Sequence, residues 1–320
     1  MTKLNMVEPS SIQNRKPSMK YIFRPMGLIE VSGGSRLDLI NRMSTNQVAL
    51  LKPGGGAATV LTTDVGRIID RVILYAGEST ALMMTGENNG DNIGRYLMRF
   101  VFFNDDFRLQ PLDDQFVTLF VYGGDAAAKI GEICGVELDL PLHSWVSAQI
   151  AGADVSIHST DPLQGGGWML KIPAGSEPAV QQALEAAGGE TITEEQFDAM
   201  RIEEKLPKLR HELTKDFIPL ETGLWDDISF NKGCYTGQEI IARMESREKI
   251  YKELMRFEIQ NGGPIPAGTE IRANGTNAGT ITTSVGNRAL GYVKSAVLKK
   301  QIDLIANGST ISPDFEPQSN

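Results

Sequence analysis

The chain has 320 residues and a formal net charge of −9 at neutral pH, with 41% hydrophobic and 22% charged residues. These proportions are ordinary for a globular protein, and the length predicts about two domains. The negative charge argues against a protein that binds nucleic acid by broad neutralisation of phosphates. No apolar run approaches the roughly 18 residues of a membrane span, so we expect no membrane insertion. The two cysteines, Cys134 and Cys234, are too few for a disulfide framework and favour a reducing compartment.

We expect residues 1–20 to form a short disordered arm. The segment is rich in basic side chains but has no apolar stretch of the roughly 7–15 residues found in secretory signals. It also lacks the amphipathic pattern that mitochondrial transit peptides carry. The cytoplasm is therefore the expected location, and the mitochondrial matrix is the alternative.

Two successive blocks, residues 21–115 and 116–248, mix strand and helix patterns, and we expect them to form the two parts of an α+β domain. In the second block the pattern predicts a helix over residues 125–134 that ends at Gly135. Cys134 falls on the apolar face of that helix, so we expect it to be a core residue.

The period of the apolar residues changes in the third block, residues 249–315. Met255, Phe257 and Ile259 alternate with polar residues, which is typical of a half-buried strand. Closely spaced Gly, Pro and Asn turn signals follow. Short strands between such turns predict a small C-terminal β-barrel, with a sandwich as the alternative.

Two helix starts match the capping-box pattern, Thr193 with Gln196 and Thr236 with Glu239. In this pattern the Thr hydroxyl accepts a backbone N–H of the first turn, and the Glu or Gln side chain bonds back to the cap. The sequence therefore predicts helices from both points. The second prediction places Cys234 two residues before a helix cap.

The most informative stretch is the octapeptide Lys-Gly-Cys-Tyr-Thr-Gly-Gln-Glu at residues 232–239. Cys234 lies close to Lys232, and both this cation and the predicted helix start favour a thiolate. Cys234 is therefore the candidate functional thiol, although an ordinary cysteine in a strand-to-helix turn remains open on spacing alone. The other candidate motif residues are Lys232, Gly233, Tyr235, Gly237, Gln238, Glu239 and Arg243.

Common catalytic signatures are missing from the sequence. It has no Walker A loop, no G-x-G-x-x-G after a strand, no H-E-x-x-H and no C-x-x-C. His143, His158 and His211 are scattered, and nothing has metal-ligand spacing, so we expect no metal site. A Cys–His catalytic pair stays open, because such pairs need not be close in sequence.

Several runs of the chain, in order, carry a family resemblance. These runs are residues 27–33, 45–46, 66–70, 218–224, 228–231, 232–239 and 289–293. Together they closely resemble the YgfZ-type folate-binding proteins of the glycine-cleavage T-protein (aminomethyltransferase) superfamily. The resemblance covers about residues 21–297, and the octapeptide separates this branch from the T-proteins themselves.

The resemblance implies a T-protein-like multidomain ring around a central tetrahydrofolate pocket. It also implies a role in the maturation or repair of iron–sulfur enzymes, with iron–sulfur client or assembly proteins as partners. By the same resemblance, Asp70 matches the acid that faces the folate, and Glu203 matches the carboxylate that grips the pterin. T-proteins often carry two acids where this chain has Asp70-Arg71, which argues against aminomethyl transfer.

The residues themselves leave alternatives open. Glu203 precedes Glu204 and Lys205, so a solvated helical glutamate is the plain alternative to a folate ligand. Asp70 is equally compatible with a turn or with an ion pair to Arg71. The cations after the octapeptide alternate with acids, which favours a solvated, salt-bridged face over a site for the glutamyl tail of folate.

Three functions therefore remain. The first is a tetrahydrofolate-binding accessory factor for iron–sulfur enzymes, which the octapeptide favours. The second is a folate-dependent aminomethyl or methyl transferase. The third is a scaffold of the same fold that binds partners without folate.

Overall fold

The computed structural model describes residues 19–247, 250–300 and 302–314. These residues form a five-stranded sheet, a six-stranded sheet and a closed six-stranded barrel. The strands are β1 (Lys20–Phe23), β2 (Met26–Ser32), β3 (Gly56–Thr62), β4 (Ile68–Ala76), β5 (Thr80–Glu87), β6 (Arg108–Pro111), β7 (Phe116–Tyr122), β8 (Trp145–Ile150), β9 (Ala153–Leu163), β10 (Gly166–Pro173), β11 (Glu190–Thr191), β12 (Lys252–Ile259), β13 (Glu270–Ala273), β14 (Thr276–Val285), β15 (Arg288–Lys294), β16 (Leu304–Ala306) and β17 (Ser309–Asp314). The helices are α1 (Arg36–Met43), α2 (Gly90–Met98), α3 (Ala126–Cys134), α4 (Glu177–Ala186), α5 (Glu194–Glu203), α6 (Gln238–Ser246) and α7 (Ser295–Leu298).

The five-stranded sheet is antiparallel, in the order β3-β4-β5-β2-β6. Successive side chains of a strand point to opposite faces, and β4 shows the consequence. Val72 and Leu74 pack into the core that contains the apolar residues of α1 and α2. Ile73 and Tyr75 face the other way, into a core shared with the second sheet.

The six-stranded sheet has the order β11-β1-β7-β10-β9-β8. On one face Leu119 and Val121 of β7 pack with residues of α3 and α4. On the other face Phe120 and Tyr122 join the core shared with the first sheet. The two sheets therefore pack face to face with helices outside them. Strand β1, near the start of the chain, pairs with β7 of this second sheet.

The C-terminal strands close into a barrel in the order β12-β15-β14-β13-β16-β17. Its interior is apolar, with Phe257 and Ile271 fully buried. The alternation that predicted β12 is present, since Met255, Phe257 and Ile259 are buried in the barrel. The predicted α+β content and the predicted small C-terminal β-barrel are therefore both present.

Local predictions met different outcomes. The α5 capping box forms, with Gln196 N donating to Thr193 Oγ1 at 3.2 Å and Thr193 N donating to Gln196 Oε1 at 2.9 Å. Helix α3 ends at Cys134 and is capped by Gly135, whose φ of 68° is left-handed.

Of the predicted N-terminal arm, residues 1–18 lie outside the described residues, while Lys20 begins β1. Residues 248, 249 and 315, at the edges of two predicted blocks, also lie outside them.

Candidate functional site

A cavity of about 80 Å³ lies between the two sheets. Strands β4, β5, β7 and β9 and the segment 206–213 line it. Its walls combine apolar side chains with several charged ones. The charged residues are Arg24, Asp70, Arg71, Glu87, Asp161 and Lys208. The cavity is therefore lined by charges of both signs inside the fold.

Asp70 of β4 is fully buried beside this cavity. Its Oδ2 accepts hydrogen bonds from Gly86 N at 2.9 Å and from Asn89 Nδ2 at 2.7 Å. Its Oδ1 has no hydrogen-bond partner among the residues the structure describes. A Cβ at Gly86 would stand 3.0 Å from this oxygen and 2.5 Å from Leu209 Cδ2, so the position needs glycine. One carboxylate oxygen is thus left for a donor from outside the chain.

Burial raises the pKa of Asp70 from 3.8 to about 6, and the hydrogen bonds from Asn89 and Gly86 oppose that rise only in part. The carboxylate is therefore ionised at neutral pH but costs stability there. A ligand that donates hydrogen bonds to Oδ1 would recover part of that cost.

Arg71 does not pair with Asp70, which removes the ion-pair alternative. Its guanidinium makes a bidentate contact with Asp161, with Nη–Oδ distances of 2.6 and 2.9 Å, and a second contact with Asp227, with Nε–Oδ2 at 2.6 Å. Burial alone would raise the pKa of Asp161. The charge and the hydrogen bonds of Arg71 outweigh this effect of burial, so the pKa of Asp161 is lowered. The trio ties β4 to β9 and to the loop before the octapeptide.

Arg24 stands at the boundary of this cavity and a larger one. Its Nη2 lies 2.6 Å from Glu87 Oε1, and its guanidinium carbon lies 3.9 Å from the centroid of the Phe197 ring. Arg24 and Met26 also line a neighbouring cavity of about 770 Å³. The small cavity at Asp70 therefore adjoins a volume large enough for an organic ligand.

Glu203 does not line either of these two cavities. It ends α5 with 46% of its side chain exposed, and its carboxylate lies 3.5 Å from Arg256 Nη1 and 3.2 Å from Arg288 Nε. The C-terminal barrel supplies both arginines, so tertiary packing directs Glu203 to the α5–barrel contact. The structure therefore does not bring Glu203 together with Asp70, and the two carboxylates that the resemblance pairs lie at different places in the fold.

A different glutamate, Glu212, is the fully buried one in this region. Its Oε2 accepts from Arg201 Nη1 at 2.8 Å, and its Oε1 accepts from Thr282 Oγ1 at 2.6 Å and from Thr283 Oγ1 at 2.8 Å. Arg201 belongs to α5 and the threonines to β14. The pair therefore joins the domain of the two sheets to the barrel.

The octapeptide is anchored by Lys232. Its Nζ donates to the backbone oxygens of Asn41 at 2.6 Å, Ser44 at 2.9 Å and Asn46 at 2.6 Å. Burial lowers the pKa of Lys232 to about 8. The expectation that this cation promotes a thiolate at Cys234 is not supported, because its donors are aimed at carbonyls at the end of α1.

Tyr235 and Gly237 complete the anchor. Tyr235 is buried in an apolar cluster with Ile228, Ile241 and Met244. Gly237 has a φ of 84°, and a Cβ there would stand 2.6 Å from Thr62 Oγ1 and 2.7 Å from the Thr63 carbonyl oxygen. Glycine is therefore required where the octapeptide crosses the β3–β4 hairpin.

The predicted capping box at Thr236 and Glu239 is wrong. Helix α6 begins at Gln238 with Gly237 as its cap and no side-chain cap bond. Thr236 instead donates from N to the Arg42 oxygen at 3.2 Å, and Glu239 pairs with Arg243 at 2.5 Å on the surface. Packing against the first sheet holds Thr236 outside the helix.

Cys234 and Gly233 are exposed between these anchors, and no atom would meet a Cβ at Gly233 within 4 Å. Gln238 is half-buried in the first turn of α6. Cys134 is half-buried and packs against the core of the second sheet. Among the described ranges, no group of three or more His, Cys, Asp and Glu side chains is arranged to hold a metal ion.

The two thiols should differ in reactivity. We expect iodoacetamide to alkylate Cys234 faster than Cys134 at neutral pH, because Cys234 is exposed whereas Cys134 packs against apolar residues. Rates measured on the Cys134→Ala and Cys234→Ala proteins separate the two thiols. Equal alkylation rates, or faster alkylation of Cys134, would contradict the assignment of Cys234 as the functional thiol.

Several polar residues that line the cavity or bond to its charged residues were not predicted from the sequence. Arg24, Asn89, Asp161 and Asp227 lie far from one another along the chain, and only Asn89, in an Asn-Asn-Gly turn signal, carries a local pattern. Asp161 lies in β9, where polar residues recur along the whole strand, so the sequence carries no distinctive signal for it.

Comparison with known proteins places this geometry in a family. Residues 23–232 match the family described as "GCVT N-terminal domain". The chain belongs to this family. Residues 252–317 match a second family, "CAF17, C-terminal beta-barrel domain". The superfamily resemblance drawn from the sequence motifs is thereby confirmed.

Relatives at low identity support the assignment. "Putative transferase At1g60990, chloroplastic" from Arabidopsis thaliana is 27% identical over 90% of this chain and 67% of its own length. An aminomethyltransferase from Bacillus subtilis is 26% identical over 83% of this chain and 75% of its own length. The crystal structure of aminomethyltransferase T from Bartonella henselae shares the fold, with a TM-score of 0.82 at 20% identity over 95% of this chain and 86% of that one.

No described helix has both the length and the apolar character needed to cross a bilayer.

Proposed function

We propose that this chain binds tetrahydrofolate, or a one-carbon derivative of it, at Asp70 and acts as an accessory factor in the maturation or repair of iron–sulfur enzymes. The observation that carries the folate assignment is the buried Asp70 Oδ1, which borders the cavity without a hydrogen-bond partner in the described part of the chain. A buried acceptor left unpaired costs free energy, so such an atom marks a place where a ligand donor is expected.

The residues present suit a pterin. Its adjacent ring N–H and amino group are donors, and an ionised carboxylate is the acceptor that matches them. Tyr122 and Phe120 of β7 and Met84 of β5 give the cavity apolar walls for a flat ring. When bound, tetrahydrofolate would supply a carrier for a one-carbon unit.

Size favours a ligand that extends from the small cavity into the large one. A volume of about 80 Å³ is too small for a whole folate, whereas the adjoining cavity of about 770 Å³ is within the range of organic ligand sites. We propose that the pterin edge reaches Asp70 and that the remainder of the folate lies beyond Arg24. Arg24, which pairs with Glu87 and stacks on Phe197, would then border the ligand between its pterin and the rest of the molecule.

The iron–sulfur role rests on the octapeptide and on the barrel. Lys232, Tyr235 and Gly237 fix the loop to the first sheet, and this leaves the Cys234 thiol exposed to a protein partner. The match of the barrel to the CAF17 C-terminal domain supports placing the chain in the YgfZ-type branch of the superfamily. Both cysteines are free, as expected for a reducing compartment such as the cytoplasm.

Aminomethyl or methyl transfer is the second candidate, because relatives with 25–26% identity are named aminomethyltransferases. The position beside Asp70 argues against it. Arg71 stands there, and Asp161 and Asp227 occupy its guanidinium. A single-turnover assay with methylenetetrahydrofolate and an amine acceptor distinguishes the candidates, since the accessory factor should transfer nothing.

A deletion strain tests the iron–sulfur role. We expect the strain to lose activity of iron–sulfur enzymes that depend on repair, and we expect Cys234→Ala to fail to restore it. Cys134→Ala is the matched control: it should restore activity while lowering stability, because it removes a partly buried group. Full restoration by Cys234→Ala would reject the functional role of that thiol.

A further inference from the structure

A groove of about 700 Å³ lies beside the octapeptide, and the proposed folate site shares with it only Asn89, the residue that donates to Asp70. Helix α2, the turn after β3 and Thr236 form its walls. The groove carries more positive than negative charge. Its charged residues are Arg95, Arg99 and Lys215 against Asp64. For a chain with a net charge of −9 this surface is unusual.

The cations of the groove are available to a ligand. Arg95 Nη2 donates to Asn92 Oδ1 at 2.7 Å, and no carboxylate in the described part of the chain pairs with this guanidinium. Within residues 19–247, 250–300 and 302–314, neither Arg99 nor Lys215 has an ion-pair partner. Both side chains are exposed. Their charges therefore attract an anionic partner at this surface.

Exposed apolar side chains lie at the end of α2 and in the segment just after it, on either side in sequence of Arg99 and Phe100, which line the groove. Phe102 is 61% exposed, Phe103 is fully exposed, and Met98 is 50% exposed. Large apolar side chains that are exposed so close together along the chain favour a contact surface. Ile305 of the barrel is also exposed, but no other large exposed apolar residue of the described chain lies near it in the sequence.

Arg42 connects this apolar edge to the octapeptide. Its guanidinium carbon lies 5.9 Å from the Phe102 ring centroid, and its Nη2 contacts Asp105 Oδ1 at 2.8 Å. Its backbone oxygen accepts the hydrogen bond of Thr236 N. Phe102 and the Cys234 loop therefore lie on neighbouring parts of one surface.

We infer that this groove docks an acidic segment of a partner protein that also carries apolar side chains. The three cations select acidic residues, and the Phe102–Phe103 edge contacts the apolar ones. A concave groove suits an extended polypeptide, whereas a flat bilayer would touch only its rim. The inference goes beyond the proposed folate site and does not depend on it.

The test measures fluorescence anisotropy of a labelled peptide of glutamates around a Leu-Phe pair. The variants are Arg99→Glu with Lys215→Glu, and Phe102→Ser with Phe103→Ser. The controls are Arg272→Glu and Ile305→Ser, which change an exposed arginine and an exposed apolar residue of the barrel. We expect the wild-type protein and both controls to bind the peptide, and each groove variant to bind about tenfold more weakly. The charge-reversed variant should prefer a peptide with lysine in place of glutamate.

Three outcomes would overturn the inference. They are no binding of the acidic peptide by the wild-type protein, equal binding by the groove variants, and equal losses in the barrel controls. Sedimentation with phosphatidylcholine–phosphatidylserine vesicles that depends on Phe102 and Phe103, without peptide binding, would instead assign the surface to a membrane. Circular dichroism shows whether each variant is folded. Tetrahydrofolate binding is measured on the same variants, so that a loss of peptide docking can be distinguished from a loss of the folate site.

Discussion

Asp70→Asn should make the protein more stable at neutral pH and weaken its binding of tetrahydrofolate. The asparagine oxygen can still accept from Gly86 and Asn89, as Oδ2 does now, while a neutral amide replaces a buried charge. The pKa of Asp70 is raised from 3.8 to about 6, so ionising it in the folded state costs on the order of 3 kcal/mol. The amide nitrogen would replace Oδ1, which has no partner among the described residues, so the gain in the free energy of unfolding should be smaller, on the order of 1 kcal/mol.

The pH dependence of this gain has a definite sign. Because the folded state binds the Asp70 proton more tightly, the cost of the carboxylate is absent below about pH 4, grows with rising pH and is complete above about pH 6. Urea denaturation of wild-type and Asp70→Asn proteins at pH 4 and pH 7.5 measures it. Asp139→Asn, at an exposed position, is the control and should change nothing. A variant less stable than wild type at pH 7.5 would contradict this account of Asp70.

Glu212→Ala should be strongly destabilising. The substitution leaves Arg201 fully buried with only Asp198 Oδ1, at 2.5 Å from its Nε, as a carboxylate partner, and it removes the acceptor of Thr282 and Thr283. Breaking a buried pair from one side costs roughly 3–5 kcal/mol. We expect a loss of that size in chemical denaturation, together with loosening of the barrel in hydrogen exchange.

Glu203→Ala is the matched control for Glu212→Ala. Glu203 also joins α5 to the barrel by ion pairs, but its side chain is half-exposed. Exposed pairs contribute about 0–1 kcal/mol. Equal losses for the two alanine variants would contradict the assignment of the domain contact to Glu212. The same Glu203→Ala protein should keep its affinity for tetrahydrofolate, since Glu203 lies outside both cavities that meet at Arg24.

The contrast between two capping boxes shows what local sequence can predict. Thr193 and Gln196 start a helix on the surface, where nothing competes for their hydrogen bonds, and the predicted box forms. Thr236 and Glu239 have the same spacing. However, Thr236 is held by Arg42 and Thr62, residues almost two hundred positions earlier. A single sequence does not reveal such a contact, and the cap moves to Gly237.

The residues around Asp70 also depend on long-range contacts that a single sequence does not reveal. The family resemblance pointed to Asp70, and the structure places it at the cavity. The partners that define its chemistry, Gly86 and Asn89, depend on how β5 and α2 fold back onto β4. For Glu203 the motif match is present, but two arginines of the barrel decide where the side chain lies.

Calorimetric titration of the protein with tetrahydrofolate at pH 5 and pH 7.5 tests the central claim most directly. An ionised Asp70 accepts the pterin donors and a protonated one does not. With a pKa of about 6, affinity should therefore be about tenfold lower at pH 5. The Asp70→Asn protein has no titrating group at this position, so any pH dependence of its affinity reports ionisation of the pterin. We expect this variant to bind tetrahydrofolate weakly at both pH values. Absence of binding, or equal affinity of wild-type and Asp70→Asn proteins at pH 7.5, would contradict a folate site at Asp70.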